Sequence, residues 1–191
     1  MTRRALAGGI VMLLLSDSSA AQTPRTGPPP DAARQHVETY ESATIDPDGQ
    51  LRITTSDGRT IMLAKEGQQS SFRNPTVSPD RTSVGAQADY PNCCTSYDIP
   101  LQLVVYARGT VHRFKGIGLP IFQWHFTDGG ARVAYGQEPV HSGCATHYEL
   151  REVHSERLID SADIRQPCGQ RPDPPHTTIP NWVKALNAAH K

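Results

Sequence analysis

One arrangement occurs twice in this chain, about 49 residues apart, and it constrains the fold more than any other feature. Val77-Ser-Pro-Asp-Arg-Thr-Ser-Val-Gly-Ala86 reads as a strand, a tight turn and a second strand, and Phe126-Thr-Asp-Gly-Gly-Ala-Arg-Val-Ala-Tyr135 has the same rhythm. Each copy leads into a cysteine-bearing loop, Asn92-Cys93-Cys94-Thr95-Ser96-Tyr97 in the first and Gly143-Cys144-Ala145-Thr146-His147-Tyr148 in the second. A hairpin follows each loop. Leu101–Tyr106 turns at Arg108-Gly109 into Thr110–Phe114, and Tyr148–Val153 turns near Ser155 into Arg157–Ile159. Recurrence of several features in one order is the mark of a repeated supersecondary unit.

Upstream, Leu51–Thr55 turns at Asp57-Gly58 into Thr60–Leu63, the back hairpin of an earlier, shortened unit. Short β-branched and aromatic runs bounded by Asp-Gly, Arg-Gly and Gly-Gly predict a hairpin meander. The 16 prolines and 15 glycines favour short strands over long helices. The expected class is all-β, with antiparallel meanders in two to three blade-like sheets and a short C-terminal helix. That helix spans residues 179–191, where Pro180-Asn181 supplies a cap and Trp182, Val183, Leu186 and Ala189 share a face. Trp124 and Phe126 alternate with Gln123 and His125, so both aromatics are expected to pack.

Pro75-Thr-Val-Ser-Pro-Asp-Arg-Thr-Ser-Val84, with Phe122–Phe126 and Thr127–Ala134, resembles the blade repeat of TolB-type β-propellers. In that family a Ser-Pro-Asp-Gly turn joins two inner strands and an outer hairpin completes a four-stranded blade. The resemblance spans roughly residues 70–160. Arg81 stands where the turn glycine is expected, and Thr127-Asp128 replaces Ser-Pro in the second copy. A closed propeller needs about four blades or more. Residues 44–165 supply two and a fraction, so a stack of sheets is expected in preference to a ring completed by other copies.

Residues 1–21 read as a cleavable secretory leader. Arg3-Arg4 precede the apolar run Ala5–Leu15, and small residues at Ser18–Ala21 offer a cleavage point. The run is shorter than the ~20 residues a spanning helix needs, and no later run approaches that length, so no transmembrane segment is expected after cleavage. Residues 22–43 read as a proline-rich linker with a possible helical turn at Asp31–Tyr40, and 166–178 as a proline-rich connector. The expected location is the periplasm or the cell exterior. Losing Arg3, Arg4 and Asp17 moves the formal charge from 0 to about −1, which leaves no basic footprint for nucleic acid.

Four cysteines outlast cleavage: Cys93, Cys94, Cys144 and Cys168. An even count in an exported chain argues for disulfides. A bridge between the two cysteine loops, with Cys168 tied to the remaining sulfur of the first loop, is the expected pairing; a vicinal Cys93–Cys94 bridge is the alternative. The competing chemistry is a metal site at His141, Cys144 and His147, joined by Cys93, Cys94, His125 or His154. No Gly-x-Ser-x-Gly elbow, His-Glu-x-x-His pair or glycine-rich phosphate loop occurs. Asp57, Asp80 and Asp128 each sit at an expected turn, where the side chain serves the local backbone. No cofactor is implied. Tyr97 and Tyr148, following the cysteine loops, are candidates for a recognition rim. These features suggest an exported, non-catalytic module that binds a protein or envelope component through loops on a rigid scaffold. The alternative is a metal- or thiol-active protein centred on Cys93, Cys94, Cys144, His141 and His147.

Overall fold

The chain forms three antiparallel meanders in sequence order, as seen in a computed structural model that describes residues 37–93, 96–141, 144–165 and 178–189. The first sheet holds β1 (Tyr40–Ile45), β2 (Leu51–Thr55) and β3 (Thr60–Leu63). The second holds β4 (Ser71–Val77), β5 (Ser83–Tyr90), β6 (Ile99–Ala107) and β7 (Thr110–Phe114). The third holds β8 (Ile121–Thr127), β9 (Arg132–Gln137), β10 (Ala145–Glu152) and β11 (Leu158–Arg165). Helix α1 (Asn181–Ala189) closes the described chain. The fold class expected from the sequence is therefore the observed one, and each four-stranded sheet has the strand order of a blade.

The turns follow from local chemistry. Arg108 and Gly109 both take positive φ, 51° and 77°, which is the geometry of the two-residue turn that matches strand twist. Asp57 accepts from the Thr55 hydroxyl and from Arg59, which holds its carboxyl down to about 2. Asp80 accepts from Ser78 Oγ at 2.6 Å and from the Thr82 backbone at 3.0 Å. Asp128 pairs with Arg132 at 2.8 Å.

The first strand begins at Tyr40, inside the stretch expected to be linker, and residues 37–39 are not helical. Residues 31–36, the rest of the expected helical turn, lie outside the described residues, as does the leader.

The sheets stack face to face. Tyr40, Leu51, Ile53 and Leu63 of the first sheet bury against Phe72, Val84, Ala86, Ala88 and Val104 of the second. The opposite face of the second sheet, at Leu103, Val105, Ala107 and Phe114, buries against Trp124, Phe126, Val133 and Tyr135 of the third. Helix α1 covers the far side of the third sheet, with Val183 and Leu186 on Ala134, Tyr148 and Leu150. Strand β5 is buried almost throughout because both its faces are covered. Its small residues answer that crowding: a Cβ on Gly85 would lie 2.4 Å from the Trp124 ring. Trp124 and Phe126 pack as expected, in an edge-to-face pair with centroids 5.3 Å apart.

Backbone bonds join the sheets at the end carrying the turns. Tyr40 N–H donates to Arg81 O at 2.8 Å and Asp80 N–H to Gly129 O at 2.8 Å, while the bond from Val153 N–H to Ala131 O at 3.0 Å closes the same end within the third sheet. The turn end thereby carries a bonded seam, and at the opposite end Phe72 N–H donates to Gly49 O at 2.9 Å.

Candidate functional site

Strand direction sorts the loops. Residues 91–93, 96–98, 115–120 and 138–141 all emerge at the end opposite the seam, with the turn at residues 46–50 and the loop at 64–70. Beneath them lies a layer of buried polar side chains. Asp89 is fixed by Ser71 Oγ at 3.1 Å and Arg73 Nε at 2.6 Å, and Arg73 also donates to the Asp98 carbonyl at 2.9 Å. Gln87 accepts from Asn74 at 2.7 Å and donates to the Ile121 carbonyl across the sheet interface. Gln137 accepts from the Ile117 backbone at 2.9 Å and so shapes the loop between the second and third sheets.

A second network runs across the third sheet. Residues 147, 149 and 151 alternate along β10, and strand alternation puts them on one face. His147 lies 2.7 Å from Asp163 through Nδ1 and 3.2 Å from Glu149 through Nε2. Arg151 Nε donates to Glu149 at 2.5 Å and to Tyr135 Oη at 3.0 Å, and the Tyr135 hydroxyl donates to Glu149. Burial alone would push the Glu149 carboxyl up. The bonds from Arg151 and Tyr135, with the Arg151 charge, outweigh it and leave the carboxyl below its ordinary range. Tyr135 moves the other way, its phenol held neutral by burial and by the adjacent carboxylate. The arrangement holds β9, β10 and β11 in register and fixes His147 at the loop end.

Above these layers three large apolar side chains face solvent: Tyr97 at 54% exposure, Ile117 at 58% and Phe122 at 37%. Phe122 is presented by a bulge, since Ile121 pairs with Gln137 and Gln123 with Gly136, leaving Phe122 as the extra residue.

The structure separates several residues that the sequence grouped. Tyr148 is not a rim residue: it is only 4% exposed, its ring packs edge-on against Trp182 at 6.5 Å, and its hydroxyl donates to Asn187 at 3.3 Å. Tyr97 stays in its loop and remains exposed. Cys144 is disulfide-bonded and so offers no thiolate, while both ring nitrogens of His147 face carboxylates. His154 lies past the far end of β10, where it meets His112 edge-on at 5.9 Å. Among the described residues no group of three potential ligands could hold a metal ion, and the structure does not assemble His141, Cys144 and His147. Cys93 is exposed, whereas Cys94 and Cys168 lie outside the described residues.

The sequence reading missed Ile117, Phe122 and the Tyr135–Glu149–Arg151–Asp163 network. The polar alternation His147-x-Glu149-x-Arg151 was a usable signal for the last of these.

Neither a family model nor a curated protein matches the chain. Among solved structures, a catalytically inactive virginiamycin B lyase from Staphylococcus aureus with quinupristin is similar over 71% of this chain, at 11% identity and a TM-score of 0.30. The chain spans 58% of that protein's length. A likeness this distant carries nothing about activity.

Proposed function

We propose that this chain is an exported, non-catalytic binding module of the cell envelope that takes a protein or envelope component at its loop end. In this reading the meanders are blades of a TolB-type repeat, and the leader at residues 1–21 sends the chain to the periplasm or beyond. The observation that carries the proposal is the exposure of Tyr97, Ile117 and Phe122 at one end of a bonded scaffold. Large apolar side chains exposed to solvent supply contact area for a partner. The polar groups beneath them, Asp89, His147 and Glu149, are engaged with Arg73, Asp163 and Arg151, which suits a supporting layer.

The test is site-specific photo-crosslinking in the native host, with benzoylphenylalanine at Tyr97, at Ile117 and, as a control, at Met62. Discrete adducts from 97 and 117 in the envelope fraction, missing from 62, are expected. Adducts absent from all three sites, or equal among them, overturn the reading. Retention of the chain in the cytoplasm removes its export component.

An exposed Cys93 favours a second reading, a thiol-active protein using the Cys93, Cys94 and Cys144 loops. Thiol titration in denaturant without reductant separates the two, since the structural reading expects no thiols and the redox reading expects two or more.

A further inference from the structure

We infer that α1 is a stack terminator: it occupies the face by which a sheet of this fold receives its successor, and displacing it makes that face a dimerisation surface for a second copy. The inference begins with an internal alignment. Ser83-Val84-Gly85-Ala86 of β5 matches Arg132-Val133-Ala134-Tyr135 of β9, and the cross-strand partners follow. Gly85 pairs with Val105 where Ala134 pairs with Leu150, and Gln87 pairs with Leu103 where Gly136 pairs with Tyr148.

In the second sheet, the face bearing Gly85, Leu103 and Val105 is the one on which the third sheet sits, with the Trp124 ring laid on Gly85. The corresponding face of the third sheet, Ala134, Tyr148 and Leu150, is the one that α1 covers. A nine-residue helix thus stands where the repeat would place four strands.

Its hold is narrow. Val183 and Leu186 are its fully buried side chains, with polar ties from Tyr148 to Asn187 and from Trp182 Nε1 to Asp160 at 2.8 Å. A helix this short is marginal without its docking site. The face beneath it carries Ala134, Tyr148 and Leu150, continues through half-buried Ile159, Ala162 and Ile164, and includes the polar β8 residues Gln123 and His125 on the same side. The charged row of His147, Glu149 and Arg151 lies on the other side of the same strand.

The occupant follows from the opposite end of the stack. The outer face of the first sheet presents Ser42, Thr44, Arg52, Thr54, Thr60 and Met62, a polar surface that does not continue an apolar stack. Head-to-tail growth is therefore disfavoured. The bared third sheet is left to meet its own kind in a closed two-fold pair.

The test is Leu186→Asp in the full mature chain, followed by light scattering after size exclusion across a concentration series. The native chain is expected to remain monomeric and the variant to double in mass without forming larger species. Adding the peptide of residues 178–189 in excess returns the variant to the monomer, and Leu150→Asp introduced into it abolishes the doubling. Leu186→Ala, a milder change, gives partial doubling if the aspartate variant loses its β-sheet circular dichroism. Monomeric behaviour of a folded Leu186 variant, growth into open polymers, or doubling that survives Leu150→Asp would each overturn the inference.

Discussion

Arg81 and Tyr40 are bonded to each other twice: the Tyr40 N–H donates to the Arg81 carbonyl at 2.8 Å, and Arg81 Nε donates to the Tyr40 carbonyl at 3.0 Å. Arg81 also holds φ at +62°, in the position where the resembling turn carries glycine. The residue accepts backbone strain and in exchange pins the first sheet to the second.

Substitution at that position separates the two contributions. Arg81→Ala keeps most of the strain and loses the guanidinium bond, and a loss of about 1–2 kcal/mol is expected. Arg81→Gly loses the same bond but relieves the backbone, so its stability should lie within about 0.5–1 kcal/mol of the native chain. Urea denaturation of the three proteins checks the order. Equal losses in the two variants would show that the left-handed conformation costs nothing here.

Glu149 gives the fold an acid-sensitive joint. Its carboxyl is held below the ordinary value of 4.5 in the folded chain despite burial, because Arg151 and Tyr135 bond to the ionised form. A carboxyl depressed on folding contributes stability that is fully present above its unfolded pKa and lost as pH falls through the folded one. Thermal midpoints should therefore fall as pH drops below about 4.5, and part of that fall should vanish in Glu149→Gln. The same variant removes the charge-assisted bond to Arg151 and should cost about 2 kcal/mol at neutral pH. An unchanged acid profile would remove Glu149 from this role.

Much of this architecture is legible in the residues, and the exceptions have physical causes. Arg108-Gly109 announced its hairpin because that turn demands two positive φ values. Trp124 and Phe126 declared a buried face by alternation. The strand at Tyr40–Ile45 was hidden because its register shifts between Tyr40 and Ser42, which breaks the period-two pattern a strand normally shows. Tyr97 and Tyr148 look equivalent after their cysteine loops, yet Tyr148 already belongs to β10 and meets a helix distant in sequence. Tyr135 meets Glu149, and Asp163 meets His147, only through strand register, which local sequence does not encode.

The disulfide at Cys144 should anchor the loop end. Cys144→Ser removes it, and the unfolded chain gains the freedom the bridge denied, at an expected cost of about 2–4 kcal/mol. Non-reducing peptide mapping is expected to join Cys144 to the first cysteine loop. Recovery of Cys93–Cys94 as a vicinal bridge would rule that pairing out.

Gly85 tests whether the stack is held by close approach. A Cβ there would lie 2.4 and 2.7 Å from two atoms of the Trp124 ring and 3.2 Å from Phe126. Its backbone is ordinary extended strand, so Gly85→Ala introduces no conformational strain and should mildly favour folding if space were available. Space is not available, because the indole is pressed between sheets and cannot rotate away without opening the core it shares with Leu103, Val105 and Val133. A destabilisation of about 1–3 kcal/mol is expected for overpacking of this kind. Trp182 contributes a second emission, so the shift in Trp124 fluorescence is best read in Trp182→Phe, where displacement of the buried indole should redden the spectrum. If Gly85→Ala proved as stable as the native chain with unchanged emission, the second and third sheets would have to sit farther apart than this interface places them.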